Sequence, residues 1–207
     1  MRSGAVSARQ DAVSRTPRRS YAKIATALTE APERTSPVRL VVDTNVALKV
    51  YLEEDLADEV QRVLDAGRDG DAELLAPTLI LLEFRHALTR RVRREDITVS
   101  EAQEMWESFG DWPLDYFEIG PLVPRAAEIS GETGCTVYDA IFVALAVFEE
   151  LVVLTADGKL TKALEGTDFA SFHWSPTRWA SCWRPSSMVR REGLGLPPRR
   201  RTFPRQT

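Results

Sequence analysis

Leu40-Val41-Val42-Asp43-Thr44-Asn45 opens as an apolar run, rich in the β-branched residues that strands favour, and stops abruptly at an aspartate followed by two polar residues. The pattern returns at Leu151-Val152-Val153-Leu154, which runs into Thr155-Ala156-Asp157-Gly158. Between the two, strand and helix signals alternate. A helix is expected from about Asp55, with Leu56, Val60, Val63 and Leu64 on one face and Gly67 and Gly70 ending it. Glu73 to Ala76 reads as a second strand closed by Pro77, and Thr78 then caps a helix with the apolar stripe Ile80, Phe84, Leu88 and Val92. Ser100 and Gln103 form a capping-box pattern ahead of a helix that buries Ala102, Met105, Trp106 and Phe109. Tyr116 to Ile119 is expected as a strand, Val123 to Ser130 as a short helix, and Thr136 to Glu149 as a strongly apolar one. A short helix to Leu164 and a last strand within Phe169 to Trp174 complete the pattern. Strands alternating with helices make an α/β fold with a mainly parallel sheet covered on both faces, and place the functional crevice beyond the C-terminal ends of the strands.

The 207 residues carry a net charge of −4, which conceals a strong asymmetry. Residues 40–174 hold 11 basic and 27 acidic side chains, a net −16, whereas residues 1–39 stand at +5 and residues 175–207 at +7. The ends are rich in Arg, Ser and Pro and lack apolar periodicity, so residues 1–37 and 175–207 are expected to be poorly ordered basic extensions of a domain spanning 38–174. Cys135 and Cys182 cannot build a disulfide framework, and neither lies in a metal-type spacing, which favours a reducing, cytoplasmic setting. The longest apolar run, Val137 to Phe148, contains Asp139 and is far shorter than the roughly 20 residues of a membrane span. No signal peptide is expected from the basic N-terminus.

Asp43 and Asp157 each follow a strand, and in a parallel sheet those strand ends lie on one edge. Asp139 opens an apolar helix and Glu83 interrupts the apolar stretch Leu79 to Phe84, where a charge is costly unless paired or bound to a cation. Each acid also has an ordinary reading: Asp43 as an Asx turn or cap, Glu83 on a solvated face, Thr136-x-x-Asp139 as a capping box, Asp157-Gly158 as a turn. Four carboxylates converging on one edge would repel one another unless a positive ion sat among them. Hard oxygen ligands select Mg²⁺ or Mn²⁺, and such an ion serves phosphodiester hydrolysis.

Val41-Val42-Asp43-Thr44-Asn45-Val46, the helix Pro77 to Leu88 with Glu83, Tyr138-Asp139-Ala140-Ile141-Phe142-Val143-Ala144-Leu145-Ala146, and Leu154-Thr155-Ala156-Asp157-Gly158-Lys159-Leu160 resemble the four signature stretches of the PIN-domain nucleases, in family order. The resemblance is strongest to the VapC-type ribonuclease toxins of toxin–antitoxin pairs and covers about residues 38–174. It implies a three-layer α/β/α domain that hydrolyses RNA with Mg²⁺ or Mn²⁺ and leaves 5′-phosphate and 3′-hydroxyl ends. By the same resemblance Asp43, Glu83, Asp139 and Asp157 are the catalytic, metal-binding quartet, with Asp43 and Asp139 the principal direct ligands. Glu83 and Asp157 would complete the site and orient the attacking hydroxide, while Thr44, Asn45 and Thr155 support it through hydrogen bonds. It further implies an antitoxin protein and a homodimer as partners, besides the RNA substrate.

Arg85, Arg90, Arg91, Arg93 and Arg94 crowd one helix, either as guides for RNA phosphates or as a solvated, dipole-matched helix end. Arg90, two turns after Glu83 on nearly the same face, is the RNA-binding candidate. His86 and His173 are read as structural, Cys135 as a small buried side chain, and Met105, Trp106, Phe109 and Trp112 as core or dimer surface. Two other functions compete. A phosphatase using a strand-end aspartate as nucleophile would carry a second aspartate two residues on, where this chain has Asn45. A non-catalytic RNA- or protein-binding module would rely on the basic ends.

Overall fold

The computed structural model describes residues 37–52 and 55–182. Five strands, β1 (Val38–Val42), β2 (Ala72–Pro77), β3 (Leu114–Phe117), β4 (Val153–Leu154) and β5 (His173–Trp174), form one sheet in the order β3-β2-β1-β4-β5. Every pairing is parallel. Eight α-helices accompany it among the described residues: α1 (Thr44–Tyr51), α2 (Ala57–Arg68), α3 (Leu79–Arg93), α4 (Val99–Gly110), α5 (Val123–Thr133), α6 (Val137–Glu149), α7 (Gly158–Leu164) and α8 (Pro176–Cys182).

Buried strands explain the apolar runs. In β1 and β2 all residues except Arg39 and Glu73 are buried, as expected where helices cover both faces of a parallel sheet. Arg39 and Glu73 lie opposite each other in register and pair at 2.9 Å, with Glu149 also reaching Arg39 at 3.0 Å. Helix α6 is apolar almost all round and buries every residue from Ala140 to Val147, packing on β1, β2 and β4. No single helix among the described residues is long and apolar enough to cross a membrane. A ring cluster of Tyr51, Phe84, Phe109 and Trp112 ties α1, α3 and α4 together; Phe84 and Phe109 stack at 4.1 Å, and Trp112 Nε1 donates to Tyr51 Oη at 2.8 Å. Phe109 and Trp112 are therefore core, while Met105 and Trp106 are half-buried against it.

The structure corrects several element boundaries. Helix α1 starts directly after Asp43, whereas the sequence reading begins its first helix at Asp55; Thr44, Val46 and Val50 are weak helix formers, and the burial of Val46 and Ala47 holds the helix instead. Gly67 lies inside α2 rather than after it. A Cβ there would come within 2.9 Å of Leu74 and Pro113, so glycine is what lets α2 lie close on β2. The capping box belongs to Thr98 and Glu101, not Ser100 and Gln103. Thr78 makes no side-chain cap; its amide instead donates to the Phe117 carbonyl at 2.8 Å.

The last correction concerns the expected C-terminal tail. Residues 176–182 form α8, which packs on α2 with Trp179 fully buried. A single large aromatic without apolar periodicity around it gave no helical stripe to read, yet it is enough to anchor a short helix. The rest of the expected basic extensions, residues 1–36 and 183–207, lies outside the described residues.

Candidate active site

Strand order decides where chemistry can gather. From β1 the chain moves outward to β2 and β3, then returns through α5 and α6 to place β4 on the other side of β1. The order thus reverses between β1 and β4, and the crevice beyond their C-terminal ends is the switch point at which such sheets bind ligands. Asp43 follows the last residue of β1 and Thr155 the last residue of β4, and Asp43 N donates to the Leu154 carbonyl at 3.1 Å.

Asp43 is only 5% exposed. It occupies the N-cap position of α1, but its side chain makes no cap hydrogen bond. Its Oδ2 instead accepts from the Thr155 hydroxyl at 2.5 Å and from Asn45 Nδ2 at 3.4 Å. Burial pushes the carboxyl up to about 6; the bonds from Thr155 and Asn45 oppose this and the charge of Asp139 adds to it.

Glu83 comes from the second turn of α3 and is half-buried. Its Oε2 accepts from the Thr44 hydroxyl at 2.5 Å. Its carboxyl is also raised, first by desolvation, with Asp43 and Asp139 contributing repulsion against the Thr44 bond. Asp139 stands in the first turn of α6, where its amide donates to Thr136 Oγ1 at 3.1 Å and the Thr136 hydroxyl donates back to Asp139 Oδ2 at 2.7 Å. The expected capping interaction is present, and the same carboxylate acts electrostatically on Asp43 and Glu83. Three acids from three elements thus act on one another.

Asp157 is held differently. Its Oδ1 caps α7 by accepting from Lys159 N at 2.7 Å and Leu160 N at 3.3 Å. Its own amide donates to Thr155 Oγ1 at 3.0 Å, so Thr155 links Asp157 to Asp43. The carboxylate lines an adjoining cavity with Asn45 and Arg90.

The helix arginines divide. Arg85 lies over the Trp106 ring at 5.6 Å and turns to α4, and Arg93 is exposed, whereas Arg90, Arg91 and Arg94 line that cavity. Lys49 and Lys159 were not singled out from the sequence, and Arg94 only as one of five helix arginines. Their signal was the spacing Asn45, Leu48, Lys49, Leu52 on α1 and Ala87, Arg90, Arg91, Arg94 on α3, legible only once the two helices are known to face one cavity. His173 is half-buried, and its Nδ1 has no hydrogen-bond partner among the described residues.

The donors suit a hard divalent ion. All are carboxylate, hydroxyl or amide oxygens, and Asp43 among them is buried. Among the described residues no group of three or more His, Cys, Asp or Glu is arranged to hold an ion by itself. Mg²⁺ is commonly held by one or two carboxylates, its remaining positions filled by water and substrate phosphate.

Comparison with known proteins gives concordant matches. The family model described as PIN domain matches residues 40–164. Ribonuclease VapC3 of Pyrobaculum aerophilum is 26% identical over 125 residues, which cover 60% of this chain and 94% of that protein. Among solved structures, PAE2754 from Pyrobaculum aerophilum is similar with a TM-score of 0.51 at 20% identity, covering 70% of this chain and 96% of that one. VapBC2 from Rickettsia felis, solved bound to a DNA fragment from its promoter, gives a TM-score of 0.50 at 12% identity, with 67% and 98% covered. At these identities the two structures speak to the fold.

Proposed function

Since the chain belongs to the PIN-domain family, we propose that it is a divalent-metal-dependent endoribonuclease, the toxin of a toxin–antitoxin pair. The observation that carries this reading is the buried Asp43 carboxylate at the switch point, raised by desolvation and coupled electrostatically to Glu83 and Asp139. The likeness to Ribonuclease VapC3 supports RNA as the substrate. The resemblance to VapC-type toxins supports an antitoxin partner and a homodimer.

Asp43 and Asp139 would hold Mg²⁺ or Mn²⁺, with Glu83 and Asp157 reaching it directly or through water. When bound, the ion supplies charge stabilisation at the phosphoryl oxygens and lowers the cost of deprotonating water. The Thr155 and Thr44 hydroxyls hold Asp43 and Glu83 in fixed rotamers. Glu83, raised above the ordinary carboxylate range, accepts the proton of the attacking water. The water oxygen forms the new bond to phosphorus, the bond to the 3′-oxygen breaks, and that oxygen takes a proton from solvent. The products are a 5′-phosphate and a 3′-hydroxyl.

A phosphatase built on Asp43 as nucleophile is disfavoured by Asn45, which donates to Asp43 Oδ2 from the position where a second acid would be needed. Purified full-length protein at enzyme excess should cut total RNA or tRNA with Mg²⁺ or Mn²⁺ and stop on chelation. Intact RNA under those conditions, with no antitoxin present, would sink the proposal.

A further inference from the structure

We propose that the cavity beside the acidic site is a preformed subsite for the RNA backbone flanking the scissile bond. The cavity measures about 420 Å³ and is walled by α1, α3 and the start of α7. Lys49, Arg90, Arg91, Arg94 and Lys159 line it, five of the 11 basic residues in a stretch that holds 27 acids. Nearly half the positive charge of an acidic domain is thus spent in one concavity, and an anion is the ligand that such a lining selects.

Three of these cations are available for a ligand. Arg91 pairs with Asp96 at 3.6 Å, but Arg90, Arg94 and Lys159 have no acidic partner among the described residues. The Lys159 and Leu160 amides at the start of α7 are already taken by the Asp157 carboxylate, which leaves the contacts chiefly to side-chain cations. Leu48, Leu52, Ala87 and Ala156 add apolar surface, which suits a nucleotide unit better than a bare phosphate.

Position on α3 sets which part of the RNA enters. Glu83, Ala87, Arg90, Arg91 and Arg94 follow at three- and four-residue steps along one face. At a rise of about 1.5 Å per residue, the Arg90 and Arg94 backbones lie about 10 and 16 Å beyond Glu83. One helix face therefore runs from an acid at the site of hydrolysis to cations that grip the neighbouring chain. Asp157, lining the cavity while tied through Thr155 to Asp43, marks the border between the two.

This inference rests on the proposed RNA substrate, and its test is independent of cleavage. Full-length protein in EDTA is titrated into a fluorescein-labelled single-stranded RNA 12-mer, and anisotropy is read across a salt series. Arg94→Glu/Lys159→Glu, which changes two elements, should weaken binding at least tenfold. Its slope of log affinity against log salt should flatten by about 1.4, two phosphate contacts of a single strand. Arg94→Gln/Lys159→Gln should give a smaller loss in the same direction, and Arg93→Glu, off the cavity, should bind as wild type. Folded double variants that bind RNA with wild-type affinity and salt slope would overturn the subsite. So would RNA binding unmoved by the double reversal while poly-glutamate binding is lost, since the cavity would then serve an acidic polypeptide. Loss of RNA affinity in a protein that never cleaves would leave the subsite standing and remove the nuclease reading; cleavage with affinity unmoved would do the reverse.

Discussion

At the scale of single residues, Asp43 is the most informative side chain. Its carboxyl is raised to about 6 by burial, so in the metal-free protein the folded state holds its proton more tightly than the unfolded chain does. The stabilisation from that proton is fully present below about pH 4 and is lost as pH rises through about 6. Asp43→Asn should therefore be more stable than wild type at pH 7 in EDTA, by up to about 3 kcal/mol. The gap should close below about pH 4. Urea denaturation at the two pH values measures this, and equal stabilities at pH 7 would show that Asp43 is not strained by desolvation. That Asp43, Glu83 and Asp139 come within reach of one another was legible because Asp43 ends a strand at the sheet edge and Glu83 and Asp139 are acids where the apolar pattern does not expect one. The supporting bonds from Thr155 and Thr44 were expected from the family resemblance alone; the residue pattern does not give them, since a threonine after a strand looks the same whether or not its hydroxyl finds a carboxylate 112 residues away.

At the scale of elements, apolar periodicity served well where burial is regular and failed where one or two contacts hold an element. Helices α3 and α6 and strand β1 were legible from their apolar stripes and runs. Helix α1 was not, because Thr, Val and Asn favour other conformations and only the burial of Val46 and Ala47 overrides them. Helix α8 was missed for a related reason, and it carries a prediction. Trp179 is fully buried where α8 packs on α2, outside the stretch matched by the PIN model. Trp179→Ala should cost about 3–5 kcal/mol, the usual range for a large buried aromatic. Thermal unfolding reads this directly; a loss below about 1 kcal/mol would mean that α8 contributes little to the domain.

At the scale of the whole molecule, a domain at −16 gathers five of its 11 cations in one cavity beside the sheet edge that buries Asp43. Binding of a divalent ion should therefore stabilise the fold. At ten times its dissociation constant, Mn²⁺ should add about 1.4 kcal/mol and raise the melting temperature by about 3–6 °C. Asp43→Asn/Asp139→Asn should abolish most of that rise, and an equal rise in the double variant would place the ion elsewhere. Charge segregation was visible in the sequence as an arithmetic imbalance and a run of arginines on one helix; which of them line the cavity and which, like Arg85 on Trp106, serve packing depends on how α1, α3 and α4 meet.

The central claim is metal-dependent hydrolysis of RNA at Asp43, and sequencing of 5′-phosphate RNA ends after brief induction tests it most directly. Wild type should generate new 5′-phosphate ends at a restricted set of sites, and Asp43→Ala, expressed at the same level, should generate none of them. Identical end profiles from wild type and Asp43→Ala would contradict the account.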